Sequence, residues 1–200
     1  ECRSDFIMMY HLQNKMNRGF TLVETLVVIA INAIILAVVM MSIQTLYKTN
    51  AYSIAQSQEI ENARVSIKNW IRDTREMTPA DDGSFPIATA SSTAFGFFSD
   101  VNDTPDIEYV EYRLSSSTMT RYIHTASGTP PSYDFTTPDT ERILSTNVQN
   151  TDLNQAVFVY YNNSGNEIPN PTAMISDIRY IEIIMVVNVD PIQAPGEFRL

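Results

Sequence analysis

With 200 residues, 44% of them hydrophobic, the chain is too apolar to be disordered and long enough for one modest domain plus an anchor. A formal net charge of −10 argues against nucleic acid as a partner, because phosphate surfaces are recognised chiefly by clustered Lys and Arg. The single cysteine, Cys2, rules out an intramolecular disulfide, so packing has to hold the fold.

The chain opens on Glu1, and Met8, Met9 and Met16 stand as candidate starts. Lys15 and Arg18 then precede an apolar run, FTLVETLVVIAINAIILAVVMM from Phe20 to Met41, interrupted only by Thr21, Glu24, Thr25 and Asn32. A helix of about 20 such residues spans a bilayer. The flanking basic residues place the N-terminus in the cytoplasm and everything after Met41 outside. A conventional secretory signal would have a shorter apolar core ending in small residues, whereas this run continues past Ala30 and Ala33 to Met41. A plain single-span anchor accounts for the length and leaves Glu24 unexplained.

From Ser42 to Met77 there is no Gly or Pro. Ile43, Leu46, Tyr47, Ala51, Ile54, Ile60, Ala63, Ile67, Trp70 and Ile71 keep helical spacing, which predicts one unbroken helix from Phe20 to about Met77, on the order of 85 Å long. The polar stretch Gln56 to Glu59 interrupts the apolar stripe. The first half is therefore expected to be exposed or inter-subunit, and the second half to pack on a domain, with Trp70 as a core anchor.

Thr78 to Gly83 stops the helix. Val, Ile, Tyr, Phe and Thr content predicts strands over Thr93–Phe98, Glu108–Leu114, Met119–Thr125, Ala156–Tyr161 and Ile178–Val189. The last is nearly continuously apolar and reads as a central strand covered on both faces. Asn162 to Asn166 reads as a turn, and Ala126 to Asp139, rich in Ser, Thr and Pro, as a surface loop. The chain stops at Phe198, Arg199 and Leu200 just as a further strand begins, so more sequence is expected beyond it.

Arg18, Gly19, Phe20, Thr21, Leu22, Val23 and Glu24, with the apolar run behind them, resemble the N-terminal processing and methylation signal of the type IV pilin superfamily. The resemblance implies a leader of residues 1–19, cleavage by a prepilin peptidase between Gly19 and Phe20, and N-methylation of Phe20. It also implies assembly with other pilins or pseudopilins through an inner-membrane platform, with Glu24 meeting the Phe20 amine of the same or a neighbouring subunit. The physical chemistry agrees. Glycine offers a peptidase an unobstructed backbone, and a carboxylate inside an apolar span needs a positive partner unless it lies at the surface and snorkels.

The helix with Asn62, Ala63, Arg64, Trp70, Arg72, Asp73, Arg75 and Glu76 resembles larger minor pilins. The segments Phe97–Asp100, Tyr109–Arg113, Ile143–Val148 and Phe158–Tyr161 are similar to the J-type minor pseudopilin of type II secretion or its pilus counterpart. The implied fold is α+β, a long N-terminal helix packed on an antiparallel sheet. The implied organisation is a leader (1–19), a transmembrane helix (20–41), its continuation (42–77) and a strand-rich domain (78–200). The implied location is the bacterial inner membrane, then a fibre.

No catalytic residues, cofactor or metal are expected. His11 and His124 are the only histidines, too few for a triad or zinc cluster once the leader is gone. Asp100, Asn102, Asp103, Asp106 and Glu108 either form an ordinary solvated turn or ligate calcium, without the glycine and spacing of an EF-hand. The function read from the sequence is a structural minor subunit; the alternative is a tip adhesin or substrate-binding subunit using the Ala126 to Asp139 loop.

Overall fold

The computed structural model describes residues 19–102, 104–190 and 198–200. Residues 1–18, with the basic Lys15 and Arg18, and Asp103 lie outside them. Two compact units divide the chain, residues 1–49 and 50–200. The layout is α+β: one long helix, α1 (Leu22–Arg75), supplies residues to both units, and a five-stranded antiparallel sheet lies in the second.

In residues 1–49 the described part is helix from Leu22 onward, exposed along its whole length. An 18-residue window of α1 reaches a mean hydropathy of 2.9, so the helix is long and apolar enough to cross a membrane.

In residues 50–200, α1 buries Tyr52, Gln56, Glu59, Ala63, Ser66, Trp70 and Asp73. These recur at alternating steps of four and three, which puts them on one face. The sheet is a meander of β1 (Ile87–Ala90), β2 (Ala94–Ser99), β3 (Glu108–Ser115), β4 (Thr118–Thr125) and β5 (Thr140–Ser145), in that spatial order. The core joins Ala63 and Trp70 of the helix to Phe95, Phe97, Val110, Tyr112, Phe158 and Tyr160. Trp70 meets the ring of Phe95 edge-on at 6.2 Å, as expected of a core anchor.

Several sequence expectations need correction. The stretch around Gln56 and Glu59 is not a break in the packing face: both residues are buried. Gln56 donates to the Val187 carbonyl and accepts from the Val189 amide, while Glu59 accepts from the Ser145 hydroxyl and the Thr146 and Asn147 amides. Polar side chains lie on the inner face here because strand ends offer them backbone partners. Ile71, expected in the apolar stripe, is exposed. The helix ends at Arg75, short of Met77, which instead bridges to Ser99 while the Thr78 amide donates to the Phe98 carbonyl.

Ile178–Val189 is not one central strand. It divides into β7 (Tyr180–Ile183), paired with β6 (Phe158–Tyr161), and β8 (Val186–Val187), paired with β9 (Phe198–Arg199). Ile184 donates to the Val157 carbonyl and Met185 to the Leu200 carbonyl, so the chain changes partner between the two strands. Burial is concentrated at Ile184–Val187, whereas Tyr180 is 62% exposed. The sequence expected no strand at β1 or β5. These are the two edges of the sheet, and an edge strand needs no continuous apolar pattern.

Gly96 in β2 lies under the Tyr109 ring of β3, and a Cβ there would stand 2.1 Å from the tyrosine oxygen. Burial pushes the Tyr109 phenol up to about 12; the Glu111 charge adds to the rise, and the Thr89 hydroxyl bond opposes it. Gly96→Ala therefore overpacks the outer face and is expected to cost about 1–3 kcal/mol. Denaturant unfolding of the 50–200 unit would measure this. The loss should shrink in a Tyr109→Ala background, and an equal loss in both backgrounds would show that the ring is not the obstacle.

Two buried carboxylates tie α1 to the strands. Asp73, wholly buried, accepts from the Tyr112 hydroxyl at 2.7 Å and pairs with Arg121 of β4 at 2.7 Å and Arg72 at 3.1 Å. Burial first, and then the Asp73 charge, keep the Tyr112 phenol protonated well above the usual tyrosine range. For Glu59, burial alone would push the carboxyl up, but the bonds from Ser145, Thr146, Asn147 and Asn62 outweigh it and hold it below 4.5. A lowered folded value means that this stabilisation is complete above 4.5 and is lost as pH falls through the folded value. Glu59→Gln is therefore expected to lower stability at neutral pH and to flatten the decline below 4.5, read from unfolding midpoints against pH.

Candidate processing and assembly site

Gly19, Phe20 and Thr21 are non-helical, and α1 begins at Leu22. The local sequence explains why it begins there. Thr21 accepts the Glu24 amide on its hydroxyl oxygen at 3.3 Å, and the Glu24 carboxylate takes both the Thr21 amide and the Thr21 hydroxyl at 3.0 Å. This is a reciprocal capping box, T-x-x-E, which satisfies orphan amides and sets a negative charge in the positive first turn of the helix. The Thr25 hydroxyl donates back to the Leu22 carbonyl at 2.9 Å.

The sequence singled out Gly19, Phe20 and Glu24, and the fold brings them within one turn of the helix start. Thr21 was read there only as a polar interruption. Its spacing of three from Glu24 was the signal for its capping role. Phe20 is 77% exposed, and nothing lies within 4 Å of where a Gly19 Cβ would stand. Packing within the described chain thus does not require glycine at position 19.

The other candidate groups are occupied structurally. The Glu108 carboxylate is buried and accepts from the Val101 amide at 3.1 Å and the Thr104 hydroxyl at 3.1 Å, closing the Asp100–Glu108 turn. Among the described residues no three His, Cys, Asp or Glu side chains converge as metal ligands. His124 donates from Nδ1 to the Asp134 carbonyl at 2.6 Å, and Tyr133 of the same loop donates to the Ile107 carbonyl at 2.7 Å. The Ala126 to Asp139 loop lies at the surface as expected, clamped through Tyr133 and Phe135 to Phe98 and Tyr109. A shallow cleft of about 240 Å³ between α1 and β5 is lined by Asn62, Ser66, Arg142 and Ser145 among others, with no carboxylate or imidazole in its wall.

A long N-terminal helix of membrane length and a unit built on a five-stranded antiparallel sheet give the chain an α+β, pilin-like layout. Comparison with protein families agrees: residues 14–40 match the model of the prokaryotic N-terminal methylation motif. The chain therefore carries a prepilin-type methylation motif on a long apolar helix, which is consistent with a type IV pilin-like protein; the motif itself is that of a structural family. Neither the curated proteins nor the solved structures gave a significant match.

Proposed function

We propose that this chain is a structural subunit cut by a prepilin peptidase between Gly19 and Phe20, methylated on the Phe20 amine, and drawn into a pilus or pseudopilus. It waits in the bacterial inner membrane through residues 20–41, with its N-terminus cytoplasmic and residues 50–200 outside. Other pilins or pseudopilins and an inner-membrane platform are its assembly partners. The finer reading is a minor subunit at or near the tip, of the J type, supported by the resemblance of its helix and strand segments.

The observation that carries this reading is the unwound Gly19–Phe20–Thr21 segment immediately before the capping box. A peptidase needs an extended backbone, and a helix that began earlier would withdraw the scissile amide into its own hydrogen bonds. The open space around Gly19 supports recognition by another molecule as the reason for glycine. Gly19→Leu should leave the chain's own fold intact and leave the precursor uncut. Mass spectrometry of membranes containing the peptidase would show the full precursor; a normal mature end at Phe20 would refute the assignment.

A further inference from the structure

Three stretches of the chain read Asn-x-Ser/Thr, beginning at Asn102, Asn162 and Asn170. Such a triplet is the acceptor pattern for a glycan on the asparagine amide, provided that its middle residue is not proline. Pro171 removes Asn170. Asn162 is tied into its turn: its backbone amide donates to the Asn166 carbonyl at 2.9 Å, and its Oδ1 accepts the Ser164 and Asn166 amides at 2.9 and 3.0 Å. Asn102 is exposed, on the connection from β2 to β3, and the hydroxyl residue that follows it is Thr104. Asp100 stands two residues before it, which completes D-x-N-x-T, the longer acceptor read by bacterial enzymes that transfer glycans to asparagine. Tyr160 and Ile168, at the matching positions of the other two triplets, carry no charge. Asp103 enters the pattern only by not being proline.

The local geometry suits the chemistry. Asn102 Oδ1 accepts the Thr104 amide at 3.1 Å and the Thr104 hydroxyl at 2.6 Å, and among the described residues no bond reaches Nδ2. An amide nitrogen is a weak nucleophile because its lone pair is shared with the carbonyl. Two donors on the oxygen favour loss of an Nδ2 proton, since the charge left behind rests on a hydrogen-bonded atom. The loop also stands on a closed base: buried Glu108 accepts the Val101 amide at 3.1 Å, and the Ile107 amide donates to Asp81 at 2.8 Å. A glycan on exposed Asn102 therefore extends into solvent and leaves the core in place.

We propose that Asn102 is a site of N-glycosylation, with Thr104 and Asp100 as the residues that mark it for the transferring enzyme. The co-substrate is a lipid-linked glycosyl diphosphate. Nδ2 attacks the anomeric carbon, the bond from that carbon to the diphosphate oxygen breaks with its electron pair leaving on the oxygen, and the Nδ2 proton passes to a base of the enzyme. Pro105 stiffens the backbone just after the hydroxyl, so partial occupancy is expected. The proposal rests on the reading that residues 50–200 lie outside the membrane, where such donors are used.

The test is mass spectrometry of the full chain purified from its native host. Trypsin releases Glu76–Arg113, in which Asn102 is the only asparagine. A fraction of this peptide should carry a glycan that fragments to sugar ions and maps to Asn102. The modified form should be lost in Asn102→Gln and Thr104→Val, kept in Thr104→Ser, and lost or strongly reduced in Asp100→Asn, which changes the charge and not the shape. An unmodified peptide throughout, a sugar on a serine or threonine, a glycan at Asn162 alone, or full modification of Thr104→Val would each overturn the proposal. Protease treatment of spheroplasts from the same host tests the underlying reading separately. If residues 50–200 are digested and the peptide is bare, glycosylation alone is refuted; if they are protected, both statements fall together.

Discussion

Asp73→Ala is expected to destabilise the 50–200 unit by about 3–5 kcal/mol, because it removes one member of a buried pair and leaves the other charged. Arg121 is only 12% exposed in its side chain, and its Nε already lacks a partner. Without Asp73 the guanidinium faces the core with no anion, and Tyr112 loses its acceptor. Tyr112→Phe takes away only one bond to a charged group and should cost about 1.5–3 kcal/mol. Urea unfolding of the two variants beside wild type would rank them. A loss below 1 kcal/mol for Asp73→Ala would mean that water relaxes into the site and that the network is not what joins α1 to β3 and β4, a threshold set by the usual value of exposed ion pairs, about 0–1 kcal/mol.

Glu24→Ala is the second large effect, and the capping box sharpens what it should do. The carboxylate already has the Thr21 amide and hydroxyl as partners, which eases its residence near the end of an apolar span. Removing it frays the helix start and abolishes the negative charge that would meet a freshly exposed Phe20 amine. We expect insertion and cleavage to continue and entry into the fibre to fail, since the amine of an incoming or neighbouring subunit no longer finds an anion in low dielectric. Site-directed crosslinking between neighbouring subunits, with cleavage followed in the same samples, would check this. Wild-type crosslinking by the variant would remove Glu24 from the assembly contact and leave it as a helix cap alone.

The long helix and the strands β2, β3, β4 and β6 were legible because apolar periodicity and β-branched or aromatic content are local signals. Gly19, Phe20 and Glu24 were singled out by their resemblance to a processing signal at the head of the apolar run, and their roles are proposed from it. What escaped was non-local. Gln56 and Glu59 look like solvated residues until strand ends supply their partners from Ser145 to Val189. Asp73 looks like one more surface charge of the helix end, and its burial depends on Arg121 and Tyr112, far along the chain. The apolar run Ile178–Val189 misled because continuous hydrophobicity marks burial without saying whether one strand or two supply it. The partner change at Ile184 and Met185 is set by Val157 and Leu200. Thr21 is different: its capping role was local and visible in the T-x-x-E spacing.

If the chain leaves the membrane as a cleaved, methylated fibre subunit, as proposed, its N-terminus in isolated fibres reports every step. Fibres sheared or pulled from the native host would be digested and the N-terminal peptide of this chain read by mass spectrometry. The expected peptide begins at Phe20 with a methylated amine and is recovered in the fibre fraction. A chain still carrying Gly19 and the residues before it, confined to the membrane fraction while fibres form without it, would rule out a role as a fibre subunit.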